Sequence, residues 1–250
     1  MDISGNTIFI PGATSGIGEA LAVALHDAGN TVIIGGRREN RLAEISSAHP
    51  GIEAVRIDTA DADDITRAAD EVRQRFPATN VLITMAGIMQ AENLRDPGFL
   101  QTAIAAIDTN ILGPLRLIAA FTDQLAAQKN STIITVSSGL AFVPMAPTAT
   151  YSATKAAIHS FSESLRIQLA DSSIEVLELV PPAVQTDLMP GQAEADWAMP
   201  LDEFVAEVMS LLPAATDEIL VERVKALRFA EVQGHYDAVL AQLAGLVGHE

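Results

Sequence analysis

Residues 7–18 read TIFIPGATSGIG, an apolar run that passes directly into a glycine-rich turn. The run is typical of a buried strand, and the residues that follow have the spacing of a helix. Gly12 permits a tight turn, while Gly16 and Gly18 let the backbone approach a pyrophosphate at the helix N-terminus, where free N–H groups and the helix dipole favour negative charge. The stretch predicts the first strand, turn and helix of a dinucleotide-binding fold.

The rest of the chain repeats this alternation of short apolar runs and segments of helical period. The predicted strands are 7–10, 31–35, 52–57, 81–84, 132–136, 175–179 and 218–221. The predicted helices are 16–28, 39–48, 62–75, 100–128, 152–169 and, at the end of the chain, 229–247. Continuous apolar strands with helices between them indicate a parallel sheet covered on both faces. We therefore expect one α/β domain over residues 1–250, a doubly wound seven-stranded parallel sheet of the Rossmann fold.

The composition argues against several classes of function. A formal net charge of −17 disfavours binding to nucleic acid or to an anionic membrane surface. The chain has no cysteine, and its histidines lack metal-ligand spacing, so we expect no metal. The first residues lack a basic signal segment, and polar residues interrupt the longest apolar stretch, residues 103–121, so we expect a cytoplasmic protein without a membrane span.

Tyr151 and Lys155 are the main candidates for catalysis. Residues four apart lie on one face of a helix, and an ammonium beside a phenol favours the phenolate, which lowers the tyrosine pKa toward working pH. A tyrosine tuned in this way can give a proton to an alcohol oxygen or take one from it. His159 falls one turn beyond Lys155, and we expect it to be a packed or interface residue rather than a catalytic base.

The end of the second predicted strand bears on the choice of cofactor. NAD-preferring sites have an acidic residue there, whereas a nearby arginine accommodates the 2′-phosphate of NADP. Gly36 stands at that position, followed by Arg37 and Arg38. Since guanidinium matches phosphate well, we predict NADP(H), with Arg37 as main contact and Arg38 as second. The alternative is two solvated arginines at a helix start. Asp58, after the third strand, could bind the adenine amine or cap the next helix.

These motifs resemble those of the short-chain dehydrogenase/reductase family in its single-domain form, from about residue 7 to residue 186. The matching positions are the glycine turn, Ala86, Gly87, Asn110, Ser138, Tyr151, Lys155, Pro181, Pro182 and Thr186. A bacterial branch, which includes oxidoreductases encoded beside teichoic-acid D-alanylation genes, is most similar in the stretches SSGLAF (137–142), YSATKAA (151–157) and PPAV (181–184).

The resemblance implies an NADP(H)-dependent carbonyl reductase or alcohol dehydrogenase, in which hydride moves between the nicotinamide and a carbonyl or alcohol carbon. Ser138 would orient the substrate oxygen, Tyr151 would transfer the proton, and Lys155 would hold the nicotinamide ribose. Asn110 would position a water that joins Lys155 to solvent. The residues expected to contact the cofactor are Gly12, Thr14, Ser15, Gly16, Ile17, Gly18, Arg37, Arg38, Asp58, Thr59, Ala86, Gly87, Tyr151, Lys155, Val184 and Thr186.

One alternative function would share these motifs, and two places in the sequence depart from the family pattern. A protein of another class, an NADP(H)-binding sensor with little turnover, would share the cofactor motifs. Pro11 stands where the family usually has threonine, and Thr84-Met85 stands where it has two asparagines, so we expect local rigidity to differ.

The segment after the sixth strand predicts substrate contacts. The proline-rich segment 181–200 predicts a substrate lid, which we expect at about 186–212. The alternative is a surface linker. Met145, Met189, Trp197 and Met199 near this lid predict an apolar ketone, aldehyde or secondary alcohol as substrate. The uncharged faces of the helices predicted at 100–128 and 152–169, which form a subunit interface in family members, predict a homodimer or homotetramer.

Overall fold

A seven-stranded parallel sheet forms the centre of the molecule. The computed structural model describes Met1–Gly245. The strands are β1 (Thr7–Pro11), β2 (Thr31–Gly36), β3 (Ile52–Arg56), β4 (Val81–Thr84), β5 (Ser131–Val136), β6 (Ile174–Leu179) and β7 (Glu218–Ile219), in the spatial order β3-β2-β1-β4-β5-β6-β7. The predicted doubly wound, seven-stranded parallel sheet is confirmed.

Two hydrophobic cores lie on opposite faces of the sheet. Successive side chains of a strand point to opposite faces, so Ile8 and Ile10 join one core and Phe9 joins the other. The Phe9 ring lies 5.3 Å from that of Phe121, centroid to centroid. Because both faces are buried, the strands of the sequence are continuous apolar runs.

Helices cover both faces. They are α1 (Gly16–Asp27), α2 (Glu39–Ala48), α3 (Ala62–Arg75), α4 (Phe99–Ile107), α5 (Gly113–Ala126), α6 (Ala149–Gln168), α7 (Leu201–Leu211), α8 (Lys225–Arg228) and α9 (Tyr236–Gly245). The buried residues of α1, α2 and α7 belong to one core, and those of α3 and α5 belong to the other, on which α6 also packs. The sequence predicts the first three helices to within one residue.

The segment predicted as one helix over 100–128 is divided. A π-helical turn, Asp108–Leu112, joins α4 to α5. Length and composition alone would let the continuous segment Phe99–Ala126 cross a membrane. Here it covers the sheet, and its own residues Leu117 and Phe121 are fully buried in the core on that face. The segment is therefore a layer of this fold.

The predicted last helix, 229–247, is wrong at its start. The chain turns after α8, and Gly234 adopts a φ of +73°, a left-handed conformation that interrupts a helix. His235 N–H then bonds back to the Ala230 carbonyl at 2.7 Å, and α9 begins at Tyr236. Residues 246–247 of the predicted helix lie outside the described residues.

A crevice opens where the strand order reverses. β1 connects outward to β2 and β3, and the chain then returns to place β4 on the other side of β1. In such sheets, ligands bind outside the carboxyl ends of the strands at this switch point. The glycine turn after β1, the loop after β4 and the start of α6 all lie there, so the fold gathers the predicted site residues at one edge.

Candidate active site

A cleft of about 540 Å³ lies at this edge of the sheet. With the exception of Asn110, every residue predicted to take part in catalysis or to contact the cofactor lines it. The lining residues that were predicted are Gly12, Thr14, Ser15, Gly16, Ile17, Gly18, Arg37, Arg38, Asp58, Thr59, Ala86, Gly87, Ser138, Tyr151, Lys155, Val184 and Thr186. The structure thus brings the predicted catalytic and cofactor-contacting residues together at one cleft.

The glycine turn owes its shape to the absence of side chains. Gly12 has a φ of +99°, and a Cβ there would lie 2.4 Å from the backbone nitrogen of Ala86. A Cβ at Gly18 would lie 2.4 Å from the Gly12 carbonyl oxygen. The Ser15 side chain precedes α1 without capping it, and the first residues of that helix, Gly16, Ile17 and Gly18, line the cleft. The turn has the geometry of an anion cradle for a pyrophosphate.

The two arginines after β2 differ in their surroundings. Arg38 lies across the glycine turn, and its Nη2 donates to the Thr14 hydroxyl at 2.7 Å and to the Ser15 hydroxyl at 2.8 Å. The Arg37 side chain is 66% exposed, with Nη1 3.9 Å from Asp58 Oδ2. Arg37 can therefore turn toward a phosphate without breaking a short hydrogen bond, while Arg38 braces the turn.

Asp58 does not cap the next helix. Its Oδ1 accepts from Ala60 N–H at 3.1 Å, which closes a local turn. The N-terminus of α3 is capped instead by Asp61, which accepts from the N–H groups of Asp63 and Asp64. The capping alternative for Asp58 is wrong, and its side chain remains at the cleft beside Arg37.

Ser138, Tyr151 and Lys155 form a buried polar group between β5 and α6, each with less than a tenth of its surface exposed. α6 begins three residues before its predicted start, so Tyr151 lies in its first turn and Lys155 in its second. The Lys155 ammonium donates to the Val136 carbonyl at 2.8 Å and lies 5.5 Å from the centre of the Tyr151 ring. The β5 end and the α6 face together fix the three side chains.

The ionisation of this group differs from the expectation that Lys155 lowers the tyrosine pKa. Burial raises the pKa of Tyr151 to about 12, and a hydrogen bond with Ser138 opposes this rise. Burial also lowers the pKa of Lys155 to about 8, against the opposing charge of Glu178. The desolvation of each charged form outweighs the opposing contributions of Ser138 and Glu178. At neutral pH the phenol is protonated, which is the form a proton donor needs.

Asn110 lies behind the cleft rather than in its lining. It is 1% exposed in the π-helical turn, where it bonds to both backbone groups of Ile88 at 2.9 Å and donates to Thr154 Oγ1 at 3.2 Å. A Cβ at Gly87 would lie 3.5 Å from Asn110 Oδ1 and 3.7 Å from Lys155 Nζ. Asn110 thus ties the loop after β4 to α6 close to Lys155; its predicted role in positioning a water stays a prediction.

The two departures from the family pattern have local effects. Pro11 ends β1 without a donor, and the next two N–H groups, those of Gly12 and Ala13, both bond to the Gly35 carbonyl, at 2.8 and 3.1 Å. Thr84 Oγ1 reaches the Ile134 carbonyl at 3.5 Å, a long contact. The β1–β2 side of the turn is therefore well tied, whereas the threonine links its neighbouring strand weakly.

The loop 181–200 closes one side of the cleft. Its ends are joined by two backbone bonds of 2.8 Å, one from Gln185 N–H to the Met199 carbonyl and one from Met199 N–H to the Ala183 carbonyl. Residues 201–211 of the expected lid form α7, which packs in the core, so a lid can extend only to Pro200. The expected substrate contacts Met145, Met189, Trp197 and Met199 do not line the cleft; Leu188 and Gln192 do.

The sequence interpretation missed two acidic residues near the site. Glu92 Oε2 accepts from Thr150 N–H at 2.8 Å at the start of α6, while its Oε1 is buried without a hydrogen-bond partner within residues 1–245. Glu178 is fully buried in β6 and bonds to Ser137 and His159. A charged residue at an inner position of an apolar strand is the signal that could have identified Glu178.

The sequence model of the family described as short chain dehydrogenase matches residues 6–197. This chain belongs to that family. It is therefore an oxidoreductase of the short-chain dehydrogenase type with a fold that binds a nicotinamide cofactor. The predicted family resemblance is confirmed, and it extends almost over the whole chain in the relatives described next.

An uncharacterized oxidoreductase, DltE, of Bacillus subtilis is 37% identical over 249 residues, which covers 97% of this chain and 98% of the relative. A short-chain dehydrogenase from Burkholderia cenocepacia in complex with NADP superposes with a TM-score of 0.84 at 26% identity, over 97% of this chain and 99% of that one. A 3-ketoacyl-(acyl-carrier-protein) reductase from Brucella melitensis complexed with NADH shares the fold, with a TM-score of 0.78 and 22% identity over 87% and 96% of the two chains.

Proposed function

We propose that this protein is an NADP(H)-dependent carbonyl reductase or alcohol dehydrogenase, acting in the cytoplasm on a small carbonyl or alcohol. The observation that carries the proposal is the buried group of Ser138, Tyr151 and Lys155 beside the glycine turn in one cleft. When bound, the nicotinamide supplies or accepts the hydride. The protein's part is to hold the reacting oxygen and to move one proton.

Each polar side chain has a role in that reaction. The Ser138 hydroxyl would hold the substrate oxygen by a hydrogen bond. Tyr151, whose pKa burial raises to about 12, would donate its proton as a carbonyl becomes an alcohol. Lys155 would bind the nicotinamide ribose. Oxidation of an alcohol by the same group requires that the tyrosine first lose its proton.

The residues around β2 support NADP(H). At Gly36 a Cβ would lie 2.4 Å from Thr14 Cγ2, so a side chain at the place where other sites hold an acidic residue would collide with Thr14 here. Arg37 and Arg38 are the nearest charged groups after it, and both line the cleft. The Burkholderia cenocepacia neighbour holds NADP. Because the fold itself accepts either cofactor, the preference depends on these side chains.

The substrate side of the cleft combines apolar and polar groups. Met89 and Leu188 offer apolar contacts, and Gln90 and Gln192 offer amides. A small ketone or aldehyde with one polar substituent would suit this lining. The loop 181–200 would contribute to substrate recognition.

A panel assay tests the proposal. NADPH and NADH would be titrated by fluorescence, and NADPH oxidation would then be followed with ketones, aldehydes and diketones. Tyr151→Phe should lower turnover by about 10²–10⁴-fold, because it removes one hydroxyl that acts as the acid, while NADPH affinity changes little. Ser164→Ala, which removes an exposed hydroxyl on the same helix, is the matched control. Full turnover in Tyr151→Phe would contradict the assignment.

The same assay distinguishes the proposed reductase from the alternative, an NADP(H)-binding sensor. Tight NADPH binding without turnover over the whole panel would favour the NADP(H) sensor. No geometric feature of residues 1–245 favours the sensor, and the three buried polar groups would be unnecessary in it.

A homodimer or homotetramer is also proposed, through α4, α5 and α6, with no nucleic acid or membrane as partner. Leu100, Ile104 and Ile107 are 53%, 46% and 41% exposed and lie on one face of α4. Burial of such a stripe stabilises association. Light scattering should give two or four chains, and Ile104→Glu should shift the mass toward one chain. A wild-type monomer at micromolar concentration would refute this part.

A further inference from the structure

One oxygen of the Glu92 carboxylate has no partner beside the candidate active site. Glu92 lies in the loop after β4, and its Oε1 is buried without a hydrogen bond to any atom of residues 1–245. A buried acceptor that is left unpaired destabilises a protein, and more so when it belongs to a charged group. Such atoms are rare in folded proteins, so each calls for an explanation. The surroundings of this oxygen indicate that its partner is a ligand.

The rest of Glu92 is held in place by hydrogen bonds. Its N–H donates to the Pro147 carbonyl at 2.7 Å, and its Oε2 accepts from the Thr150 N–H at 2.8 Å. Thr150 lies in the first turn of α6, directly before Tyr151. Because the backbone and the side chain are both tied to the segment that begins α6, Oε1 cannot turn toward another partner without the loss of one of these bonds.

Glu92 lines a small pocket beside the main cleft. The pocket measures about 10 Å³, close to the space that one water-sized group needs. Its lining residues are Ile88, Gln90, Glu92, Thr102, Ala106 and Tyr151. Three of them, Ile88, Gln90 and Tyr151, also line the main cleft, so the two spaces are adjacent at the candidate catalytic tyrosine. A short substituent of a substrate held at Tyr151 would enter this pocket.

The lining determines which chemical group would fit there. Glu92 is the one charged residue among the six, and an ionised carboxylate accepts hydrogen bonds but donates none. Thr102, on α4, adds a hydroxyl, whereas Ile88 and Ala106 are apolar. Glu92 Oε2 already bonds at the N-terminus of α6, where the helix dipole favours negative charge, so the carboxylate needs a donor more than a counter-ion. A hydroxyl group meets that need in the space of one water.

We propose that Glu92 is a specificity-determining residue, whose Oε1 accepts a hydrogen bond from a hydroxyl group that the substrate carries close to the reacting carbonyl. The substrate class is therefore a small hydroxyketone or hydroxyaldehyde. The inference rests on the proposed function for the reaction itself. Discrimination by Glu92 can be measured through binding as well as through turnover, so the two proposals can fail separately.

Matched pairs of ketones test this role. Hydroxyacetone and 4-hydroxybutan-2-one carry a donor one or two carbons from the carbonyl, and butanone and pentan-2-one have a methyl group in place of each hydroxyl. Both kcat/KM with NADPH and the dissociation constant from the fluorescence of the NADPH complex would be measured. The wild type should prefer at least one hydroxyketone to its methyl analogue by about 10–100-fold, because the methyl group leaves the buried acceptor unpaired.

Glu92→Gln should change this preference. The amide oxygen can keep the bond to Thr150, and the amide nitrogen then presents a donor to the pocket. The preference for the favoured hydroxyketone should fall about tenfold, and methoxyacetone, which has only acceptors, should gain on pentan-2-one. Glu163→Gln removes a carboxylate of α6 that is 59% exposed. It is the matched control and should leave both ratios unchanged.

A role of Glu92 limited to capping α6 would give a different result. Glu92→Gln would then change kcat/KM by the same factor for every ketone, and such unchanged ratios would overturn the proposal. Equal use of hydroxyl and methyl ketones by the wild type, or no binding and no reduction of either hydroxyketone, would also overturn it. If no ketone is reduced but the dissociation constants show the expected preference and its loss in Glu92→Gln, the inference stands and only the reductase is refuted.

A second variant keeps the proposal testable if Glu92→Gln does not fold. Ala106, on α4, is 5% exposed and lines the pocket. Ala106→Val therefore fills the space that the hydroxyl would take, while both hydrogen bonds of Glu92 remain. Hydroxyketones should lose their advantage over the methyl analogues, since neither substituent can enter the pocket. An undiminished preference in folded Ala106→Val would reject this pocket as the hydroxyl site.

Discussion

The two walls of the cleft are built in different ways. On the cofactor side the backbone forms the surface, and the turn at Gly12 approaches the backbone of Ala86 so closely that no side chain fits. On the facing side the loop 181–200 is held by a few hydrogen bonds, and a Cβ at Gly191 would meet no atom within 4 Å in the described part of the chain. Close backbone packing gives a fixed wall, whereas a loop on a rigid scaffold can vary with the substrate.

The largest effect should come from adding one methyl group to the fixed wall. Gly12→Ala places a Cβ 2.4 Å from Ala86 N at a φ of +99°, so we expect a loss of about 2–4 kcal/mol of stability and loss of NADPH binding. Gly191→Ala is the matched control, with a φ of +76° but open space around it; it should cost about 1–2 kcal/mol. Urea denaturation of both variants measures the difference, and equal losses would contradict the contrast between the walls.

A side chain on the fixed wall should set the cofactor preference. Arg37→Ala should weaken NADPH binding about 10–100-fold through loss of a charged hydrogen bond to phosphate, and should leave NADH binding unchanged. Arg73→Ala, which removes an exposed arginine from α3, controls for the change in net charge. Fluorescence titration with both cofactors gives the four affinities. If NADH weakens in parallel, Arg37 contributes general charge rather than recognition of the 2′-phosphate.

The loop 181–200, which forms the other wall, should open more often when one buried hydrogen bond is lost. Gln192 is 7% exposed, and its Nε2 donates to the Val184 carbonyl at 2.7 Å. Gln192→Ala should cost about 1 kcal/mol and increase hydrogen exchange at the amides of Gln185 and Met199, which close the loop. Gln168→Ala, at the end of α6, is the control. Unchanged exchange at those two amides would show that the loop does not depend on this contact.

The smallest effect on stability should come from His159, which belongs to neither wall of the cleft. Because the pKa of His159 is raised above 6.5 in the folded protein, its protonation stabilises the fold fully below about pH 6.5, and this contribution is lost as pH rises through the folded-state pKa. His159→Gln should remove that part of the pH dependence of unfolding. His235→Gln, at an exposed histidine, should keep it. Denaturation midpoints between pH 5 and 9 would decide, and a wild-type profile in His159→Gln would contradict the prediction.

Local signals explain what the sequence could predict. The turn of residues 7–18 needs glycines at fixed places, and the apolar runs of β1 and β2 are buried on both faces, so the fold and the cofactor side follow from neighbouring residues. Tyr151 and Lys155 are likewise one helical turn apart. Each of these features depends on spacing within about a dozen residues.

The other features depend on packing between distant segments. The raised pKa of Tyr151 is caused by burial, which no local pattern shows. Asn110, in the π-helical turn, is buried where it bonds to Ile88 and Thr154, residues distant from it in the sequence. The assignment of the α3 cap to Asp61 rather than Asp58 required the turn geometry. The expected lid at about 186–212 included residues that form α7, because the prolines before that helix obscured its amphipathic pattern.

The two arginines at the turn have a consequence for the speed of cofactor capture. The protein carries a formal net charge of −17, so a polyanionic dinucleotide is repelled at long range, and Arg37 and Arg38 attract it only near the cleft. Salt screens interactions beyond a Debye length of about 8 Å at physiological ionic strength. Moderate salt should therefore remove more repulsion than attraction and accelerate association, the reverse of the usual behaviour for a site that holds phosphate.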